Sequence, residues 1–128
     1  MNMHKILVVD DDVDILTLVK MSLQMHNFSV EGLSRWEQVE DCVKSFKPEL
    51  ILLDISLKGA DGREICKKLK LADETKHIPI ILFSANAELG NTYRECNAEG
   101  YIEKPYVLSN MLEKIRASIA NAHLFGKN

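Results

Sequence analysis

The chain has 128 residues, of which 46% are hydrophobic and 27% charged, and its formal net charge is −3. This length and composition predict a single globular domain over residues 1–128 and leave too few residues for a second core. No apolar run approaches the roughly 20 residues of a membrane span, and the net negative charge gives no general attraction to nucleic acid. Because the first residues lead directly into the first predicted strand, we expect no secretory signal. We therefore expect a cytoplasmic protein that binds neither membrane nor nucleic acid directly.

Apolar runs of strand length alternate with stretches of helical periodicity. The strands predicted from the apolar runs cover residues 5–9, 28–33, 49–54, 80–83 and 101–103. The helices predicted from the spacing of apolar residues cover residues 12–25, 35–46, 62–71, 87–96 and 107–121. Consecutive βα units require a parallel sheet, so we predict a doubly wound, flavodoxin-like α/β fold with five strands in the order 2-1-3-4-5 and helices on both faces.

Three of these helices carry a start signal in the sequence. Asp12 is available as the N-cap of the first helix. Ser34 and Glu37 fit a capping box at the start of the second. Asp61 and Glu64 repeat that pattern at the start of the third. Each signal fixes where a helix begins and therefore where the preceding strand and loop must end.

Acidic side chains follow two of the apolar strands directly. Asp10 and Asp11 end the first strand, and Asp54 ends the third, which is apolar on both faces. In the predicted order these strands are neighbours, so the three carboxylates share the carboxyl edge of the sheet, where open α/β sheets bind their ligands. Each carboxylate resists ionisation beside the others, so the group requires a cation. Oxygen ligands in a small, partly hydrated site predict Mg²⁺.

Two further polar side chains follow the fourth and fifth predicted strands. Lys104 can supply a fixed positive charge opposite the acids, and Ser84 a hydroxyl group. This set of residues suits phosphoryl transfer to a carboxylate, in which Asp54 is the nucleophile and Mg²⁺ and Lys104 balance the charge on the phosphoryl oxygens. Ser84 can hydrogen-bond the phosphoryl group after its transfer.

The chain resembles the receiver domains of two-component response regulators, of the stand-alone kind typified by the chemotaxis regulator. The resemblance covers nearly the whole chain, with a core at about residues 4–121. It rests on four motifs, which are Ile6-Leu7-Val8-Val9-Asp10-Asp11-Asp12, Leu52-Leu53-Asp54-Ile55-Ser56-Leu57-Lys58-Gly59-Ala60-Asp61-Gly62, Phe83-Ser84-Ala85 and Lys104-Pro105-Tyr106. Each motif is only moderately specific, but their order and spacing together are strongly indicative.

The resemblance implies a role for each matching position in the site. Asp54 is the phosphoacceptor, and Lys104 matches the lysine of the family pattern. The implied ligands of Mg²⁺ are the carboxylates of Asp11 and Asp54 and the backbone carbonyl of Ser56. Asp10 reaches the ion through a water molecule. The bond from Lys104 to the proline that follows is usually cis in the family.

The resemblance also implies how the signal leaves the site. Ser84 occupies the switch position, and Tyr101 matches the aromatic residue that turns inward when the serine hydroxyl moves to the phosphate. The surface formed by residues 84–106 changes with it, and Gly90-Asn91 weakens the helix within that surface. The implied phosphodonor is a phosphohistidine on a histidine kinase or phosphotransfer protein. A downstream protein target would bind the face of the fourth helix, fifth strand and last helix, so the chain is a signalling switch and not an enzyme.

One departure from the family pattern and three alternatives bear on this interpretation. Lys58 stands where the family often has proline, so we expect a looser loop after Asp54 and an extra cation near the site. An aspartyl-phosphate phosphatase would use the same Mg²⁺ chemistry, but it usually needs an acid where this chain has Ser56. A flavodoxin-like cofactor binder would need a phosphate loop where the three acids stand. A receiver cut from a hybrid histidine kinase or a larger regulator remains open.

Overall fold

The structure, a computed structural model, describes residues 3–125. The strands in this range are β1 (Lys5–Val9), β2 (Ser29–Leu33), β3 (Leu50–Asp54), β4 (Ser56–Leu57), β5 (Ala60–Asp61), β6 (Ile80–Ser84) and β7 (Gly100–Glu103). The α-helices are α1 (Val13–Met25), α2 (Val39–Phe46), α3 (Gly62–Leu71), α4 (Ala87–Gly90) and α5 (Leu108–Phe125). No helix within residues 3–125 combines the length and the apolar character that a membrane span requires.

The main sheet of the described chain consists of five parallel strands in the order β2-β1-β3-β6-β7. This is the predicted order 2-1-3-4-5, because β4 and β5 form a separate two-stranded hairpin that the sequence prediction did not include. Val9 of β1 pairs with Leu53 of β3, and Ser84 of β6 pairs with Glu103 of β7. These registers bring the carboxyl ends of four strands to one edge of the sheet.

The core has two layers, one on each face of the sheet. Alternate residues of a strand point to opposite faces, so Ile6 and Val8 of β1 pack in the layer that includes α1 and α5. Leu7 and Val9 pack in the layer that includes α2 and α3. Because β1, β3 and β6 are covered on both faces, their residues are apolar except for Lys5 at the start of β1, Asp54 at the end of β3 and Ser84 at the end of β6.

The helix starts confirm part of the sequence prediction. Asp12 caps α1, where its carboxylate accepts hydrogen bonds from the backbone N–H groups of the first turn. Asp61 caps α3 and accepts from Arg63 N at 2.9 Å. The capping box at Ser34 is wrong, because a 3₁₀ turn at Trp36–Gln38 begins that segment without a side-chain cap and α2 starts only at Val39. The chain enters α2 through this turn, which places the indole ring of Trp36 against the β4–β5 hairpin.

The last two predicted helices can be compared with their predicted ranges. The fourth, predicted over residues 87–96 and expected to be weak at Gly90-Asn91, has only four α-helical residues in α4 and continues as a 3₁₀ helix, Asn91–Cys96. The last extends to Phe125 rather than ending near residue 121. Its apolar positions, from Met111 to Ile119, are buried against the sheet.

The β4–β5 hairpin fixes the segment that follows Asp54. Gly59 forms the turn with a φ of +79°, a conformation that favours glycine. Gly62 then donates its N–H to the Ile55 carbonyl at 2.8 Å. A Cβ atom at Gly62 would lie 2.1 Å from the carbonyl oxygen of Asp54, so only glycine allows α3 to begin this close to the end of β3. The hairpin and α3 therefore pack directly against the strand end that carries Asp54.

Candidate functional site

The three predicted acids meet at the carboxyl edge of β1 and β3. One carboxylate oxygen from each of Asp10, Asp11 and Asp54 lies within 4.8 Å of the other two. Asp10 is fully buried, Asp54 is only 4% exposed, and Asp11 is half-buried at the mouth of the site. Charged groups this deep in a fold require a partner of opposite charge.

Lys104 supplies a positive charge from the end of β7. Its ammonium nitrogen lies 2.9 Å from Asp10 Oδ2 and 3.3 Å from Asp54 Oδ1. Asp10 Oδ2 is buried, and the Lys104 ammonium is its only close polar partner among the described residues. The other oxygen, Oδ1, accepts the backbone N–H of Asp12 at 2.9 Å. Lys104 and Pro105 are joined by a cis peptide bond, in agreement with the expectation from the family pattern.

The charges of this cluster perturb one another. Burial, followed by repulsion from Asp10, raises the pKa of the Asp54 carboxyl from 3.8 to about 6, against the opposing effect of Lys104. Burial alone would lower the pKa of the Lys104 ammonium, but its contacts with Asp10 and Asp54 outweigh burial and hold the pKa above its usual value. Lys104 is therefore charged at neutral pH, whereas Asp54 is ionised less readily than an ordinary aspartate.

The residues at this edge fit a bound Mg²⁺ ion. When all four groups are ionised, three carboxylates face a single ammonium, so the cluster carries excess negative charge. The donors are all oxygens, which Mg²⁺ prefers, and the buried Asp10 Oδ2 has only the shared Lys104 ammonium as a close polar partner among the described residues. Ser56, whose carbonyl is a predicted ligand, is the first residue of β4, two residues after Asp54.

Lys58 is held more firmly than the sequence predicted. Its backbone N–H donates to Asp11 Oδ2 at 2.8 Å, and its carbonyl accepts the indole N–H of Trp36 at 2.9 Å. These hydrogen bonds hold the Lys58 backbone on both sides and give no sign of the looser loop that the sequence led us to expect. A proline at this position has no N–H to donate. The lysine backbone thus orients one oxygen of Asp11, and the other makes no hydrogen bond within residues 3–125.

Replacing Lys58 with proline is expected to lower the Mg²⁺ affinity about tenfold, a loss typical when a hydrogen bond that orients a metal ligand is removed. Lys58→Ala is the matched control, because it removes the ammonium but keeps the N–H that donates to Asp11. Trp36 is the single tryptophan and contacts this loop, so its fluorescence can follow a Mg²⁺ titration. Equal affinities for the proline and alanine variants would contradict the role given to the Lys58 amide.

Ser84 lies at the same edge, but its hydroxyl is engaged elsewhere. The side chain is only 2% exposed, and Oγ donates to the Asn86 carbonyl at 3.1 Å while accepting the Asn86 N–H at 3.0 Å. Asn86 in turn caps α4 with its side chain. The structure therefore places Ser84 at the predicted strand end with its hydroxyl bound to the backbone that leads into α4.

Tyr101 packs half-buried against the segment that follows Ser84. Its ring lies against Gly90, where an added Cβ would approach Cδ2 of the ring to 2.3 Å. The ring centroid is 6.0 Å from that of Tyr93. Sequence reasoning treated Gly90 only as a residue that weakens a helix, whereas the structure shows that its missing side chain makes room for Tyr101.

Arg63 is a further residue that sequence reasoning did not single out. Its guanidinium binds the carboxylate of Asp61 with a shortest distance of 2.7 Å and donates to Thr92 Oγ1 at 3.2 Å. These contacts join the start of α3 to the 3₁₀ helix after α4. A capping aspartate followed two residues later by arginine was the available signal, but the contact with Thr92 depends on the fold.

A doubly wound sheet with an acidic cluster and a lysine at its carboxyl edge agrees with the comparison against known families. The chain belongs to the response regulator receiver domain family, whose model matches residues 6–116. Receiver domains of this family are signalling domains of two-component systems, and the family implies phosphorylation of an aspartate.

Three relatives illustrate how similar the chain is to known response regulators in sequence and structure. The phosphate regulon transcriptional regulatory protein PhoB of Pseudomonas aeruginosa is 32% identical over 114 residues, which are 88% of this chain and 50% of that protein. PhoB of Rhizobium meliloti is 29% identical over 120 residues, which are 92% of this chain and 53% of that protein. The crystal structure of a CheY-like response regulator receiver domain protein from Methanospirillum hungatei is 27% identical, with a TM-score of 0.87 and coverage of 95% of this chain and 98% of that one. The chain spans about half the length of the curated relatives it matches.

Proposed function

We propose that this chain accepts a phosphoryl group on Asp54 in a Mg²⁺-dependent reaction and transmits the change through the surface formed by residues 84–106. The observation that carries the proposal is the convergence of Asp10, Asp11, Asp54 and Lys104 at one edge of the sheet. This group of residues combines a nucleophile, a set of oxygen ligands and a fixed cation. The family to which the chain belongs supports the same reaction.

Asp54 acts as the nucleophile toward a phosphohistidine. A carboxylate oxygen attacks the phosphorus atom, a P–O bond forms, and the P–N bond to the donor imidazole breaks. The imidazole nitrogen leaves with the electron pair and takes up a proton from solvent. Since the pKa of Asp54 is raised to about 6, most of the carboxyl is in the reactive ionised form above that pH. Attack of water on the phosphorus later returns the free carboxylate and releases inorganic phosphate.

Three groups balance the charge that the phosphoryl group brings. Mg²⁺, when bound by Asp11, Asp54, the Ser56 carbonyl and, through water, Asp10, supplies a positive charge to the phosphoryl oxygens. Lys104 supplies a second positive charge from the opposite side, and its contact with Asp54 already places the ammonium next to the reacting carboxylate. Burial of Asp10 and Asp54 strengthens each of these interactions because little water screens them.

The proposed switch begins at Ser84. Its hydroxyl exchanges the Asn86 backbone for an oxygen of the new phosphoryl group, which withdraws support from the start of α4. α4 is one turn long, so few internal hydrogen bonds resist this change. Tyr101, which packs on Gly90 at the end of that turn, then has a different surface to pack against.

Replacing Gly90 with alanine is expected to displace the Tyr101 ring and to lower the free energy of unfolding by about 1–3 kcal/mol, the usual cost of overpacking. The same substitution in a Tyr101→Ala background should cost much less, which gives a coupling energy of about 1 kcal/mol or more in a double-mutant cycle. Denaturant unfolding of the four proteins measures it. Equal costs in both backgrounds would show that the Gly90–Tyr101 contact does not determine the packing.

The donor would approach the edge where α1 begins. α1 starts immediately after the acidic residues, and its outer surface exposes Val13, Leu18 and Met21, each more than half exposed. An exposed apolar surface next to a reactive group supports contact with a protein donor, either a histidine kinase or a phosphotransfer protein. The downstream partner is proposed to bind the α4–β7–α5 face, where a depression of about 350 Å³ is lined by Tyr93, Tyr101 and Lys114 among others.

The protein context of the receiver has two alternatives. The chain can act by itself in the cytoplasm, or it can be the receiver module of a hybrid histidine kinase or of a larger regulator. The second alternative is favoured by one observation, since the curated relatives are about twice as long as this chain and are named as transcriptional regulators. In either context we propose that this domain itself binds proteins and not nucleic acid.

The proposal is tested by incubating the protein with acetyl phosphate, with and without Mg²⁺, and measuring its intact mass. The expected result is the mass of one added phosphoryl group that appears only with Mg²⁺. Binding of beryllofluoride, a stable mimic of the phosphoryl group, provides a second measurement that does not depend on the lifetime of the adduct. Failure of both measurements would overturn the proposal.

A further inference from the structure

A second cluster of metal-ligating side chains lies at the opposite edge of the sheet. His4 and Glu49 directly precede β1 and β3, which are neighbours, and α5 returns to the same edge near its end, at His123. Glu49 Oε2 lies 2.8 Å from His4 Nδ1 and 3.6 Å from His123 Nε2. One donor atom from each of the three residues lies within 4.8 Å of the others. Nothing in the proposed phosphorylation uses these residues.

Two of the three donor–donor distances in this cluster, those made by Glu49 Oε2, are close to the distances of a zinc site. Zn²⁺ binds imidazole nitrogen and carboxylate oxygen at about 2.0–2.2 Å, so neighbouring ligands of a tetrahedral ion are about 3.3 Å apart. The two contacts made by Glu49 Oε2 lie on either side of this value. The side chains of His4 and His123 are 50% and 55% exposed, so small rotations can bring both nitrogens to a common ion.

Glu49 is already oriented for such a role. Its other oxygen, Oε1, accepts the backbone N–H of Lys5 at 3.1 Å, which directs Oε2 toward the two imidazoles. The open side of the cluster adjoins a groove of about 820 Å³ whose wall includes Glu49 and His123, which leaves space for water as a fourth ligand.

We infer that His4, Glu49 and His123 form a binding site for a divalent transition metal ion, most readily Zn²⁺. Two imidazoles and one carboxylate suit Zn²⁺ and its neighbours in the first transition series, whereas Mg²⁺ prefers oxygen ligands alone. The two ends of the sheet therefore differ in the ions they select. A bound ion would join the end of α5 to the starts of β1 and β3, on the side of the molecule away from Asp54.

The test uses the full chain, freed of metal with a chelator and then titrated with zinc chloride in the presence of excess Mg²⁺, which occupies the acidic cluster. One zinc ion per chain is expected. His4→Ala, His123→Ala and Glu49→Gln should each weaken zinc binding about tenfold or more, since even the loss of a group that only orients a ligand weakens binding by that factor. The chain has four histidines, so His26→Ala and His77→Ala are matched controls that should bind zinc like the original chain.

Two additional measurements separate a built site from an ordinary hydrogen-bonded pair. Zinc should raise the thermal unfolding temperature of the original chain and of His26→Ala but not that of His123→Ala. Cobalt(II), used as a spectroscopic substitute, should give the visible absorption of a tetrahedral nitrogen and oxygen site only when all three residues are present. Unchanged zinc affinity in His123→Ala, equal weakening in His26→Ala, or displacement of zinc by Mg²⁺ would each overturn the inference.

Discussion

Asp54→Asn is expected to abolish phosphorylation and, in the absence of divalent ions, to make the folded protein more stable at neutral pH. The amide is not a nucleophile toward phosphorus, so no adduct should form with acetyl phosphate and Mg²⁺. The substitution also removes one of three carboxylates that lie close together. The one removed, at Asp54, is only 4% exposed. A gain in stability at the expense of activity is typical of substitutions at functional sites.

The expected size of the stabilisation follows from the pKa of Asp54. Raising that pKa from 3.8 to about 6 corresponds to about 3 kcal/mol, at about 1.4 kcal/mol per pH unit. Because the folded state holds its proton more tightly than the unfolded state, this contribution to stability is fully present below about pH 4. It is lost as the pH rises through about 6. Asp54→Asn should remove this decrease and be more stable than the original chain at pH 7, by up to about 3 kcal/mol.

Urea unfolding in a chelating buffer at several pH values measures both parts of the prediction. Asp12→Asn is the matched control, because Asp12 lies at the same edge but caps α1 with an exposed side chain, and asparagine is an equally good N-cap. This control should keep both the phosphorylation and the pH dependence of the original chain. An Asp54→Asn protein that is less stable at pH 7, or that keeps the same pH dependence, would contradict the electrostatic account of the site.

Gly62→Ala is expected to destabilise the protein by about 3 kcal/mol, at the upper end of the usual range for overpacking. The new Cβ would lie 2.1 Å from the Asp54 carbonyl oxygen and 2.9 Å from Ile55 Cα, and backbone atoms cannot rotate away. The start of α3 must therefore move from the end of β3. Because Asp54 is the last residue of β3, phosphorylation by acetyl phosphate should slow as well.

Gly100→Ala provides the control for the loss of glycine as such. A Cβ at Gly100 meets no atom within 4 Å, and its backbone conformation does not require glycine. The free energy of unfolding of Gly100→Ala should remain within about 1 kcal/mol of that of the original chain, since only the entropy of the unfolded state and the local strand propensity change. Denaturant unfolding and the rate of phosphorylation are measured for both variants. Similar stabilities for the two variants would show that the segment after Asp54 is less tightly packed than its geometry indicates.

The sheet and the acidic cluster could be predicted because both follow from local pattern and topology. Short apolar runs predict buried strands, and the alternation of strands and helices restricts the order of the sheet, so the sequence alone predicts that Asp10 and Asp54 lie together. The cap at Asp12 was predictable for a similar reason, since an N-cap depends on its own first turn.

The contacts that the sequence did not predict join groups that only the fold brings together. Lys58 was noticed for its side chain, but its N–H and carbonyl bind Asp11 and Trp36, which lie 47 and 22 residues away. From the sequence, Gly62 is only part of a family motif and Gly90 only a residue that weakens a helix, whereas in the fold each makes room for a close approach, of Asp54 or of Tyr101. The Ser34 capping box failed because the same residue types also occur before a 3₁₀ turn.

The central claim, that Asp54 accepts the phosphoryl group, is tested most directly by locating the modified residue. After treatment with acetyl phosphate and Mg²⁺, borohydride reduces an aspartyl phosphate to homoserine, and tandem mass spectrometry of the digested protein identifies the altered position. The account predicts homoserine at position 54 and unmodified Asp10, Asp11 and Asp12. Homoserine at one of those neighbouring positions, with Asp54 unchanged, would contradict it.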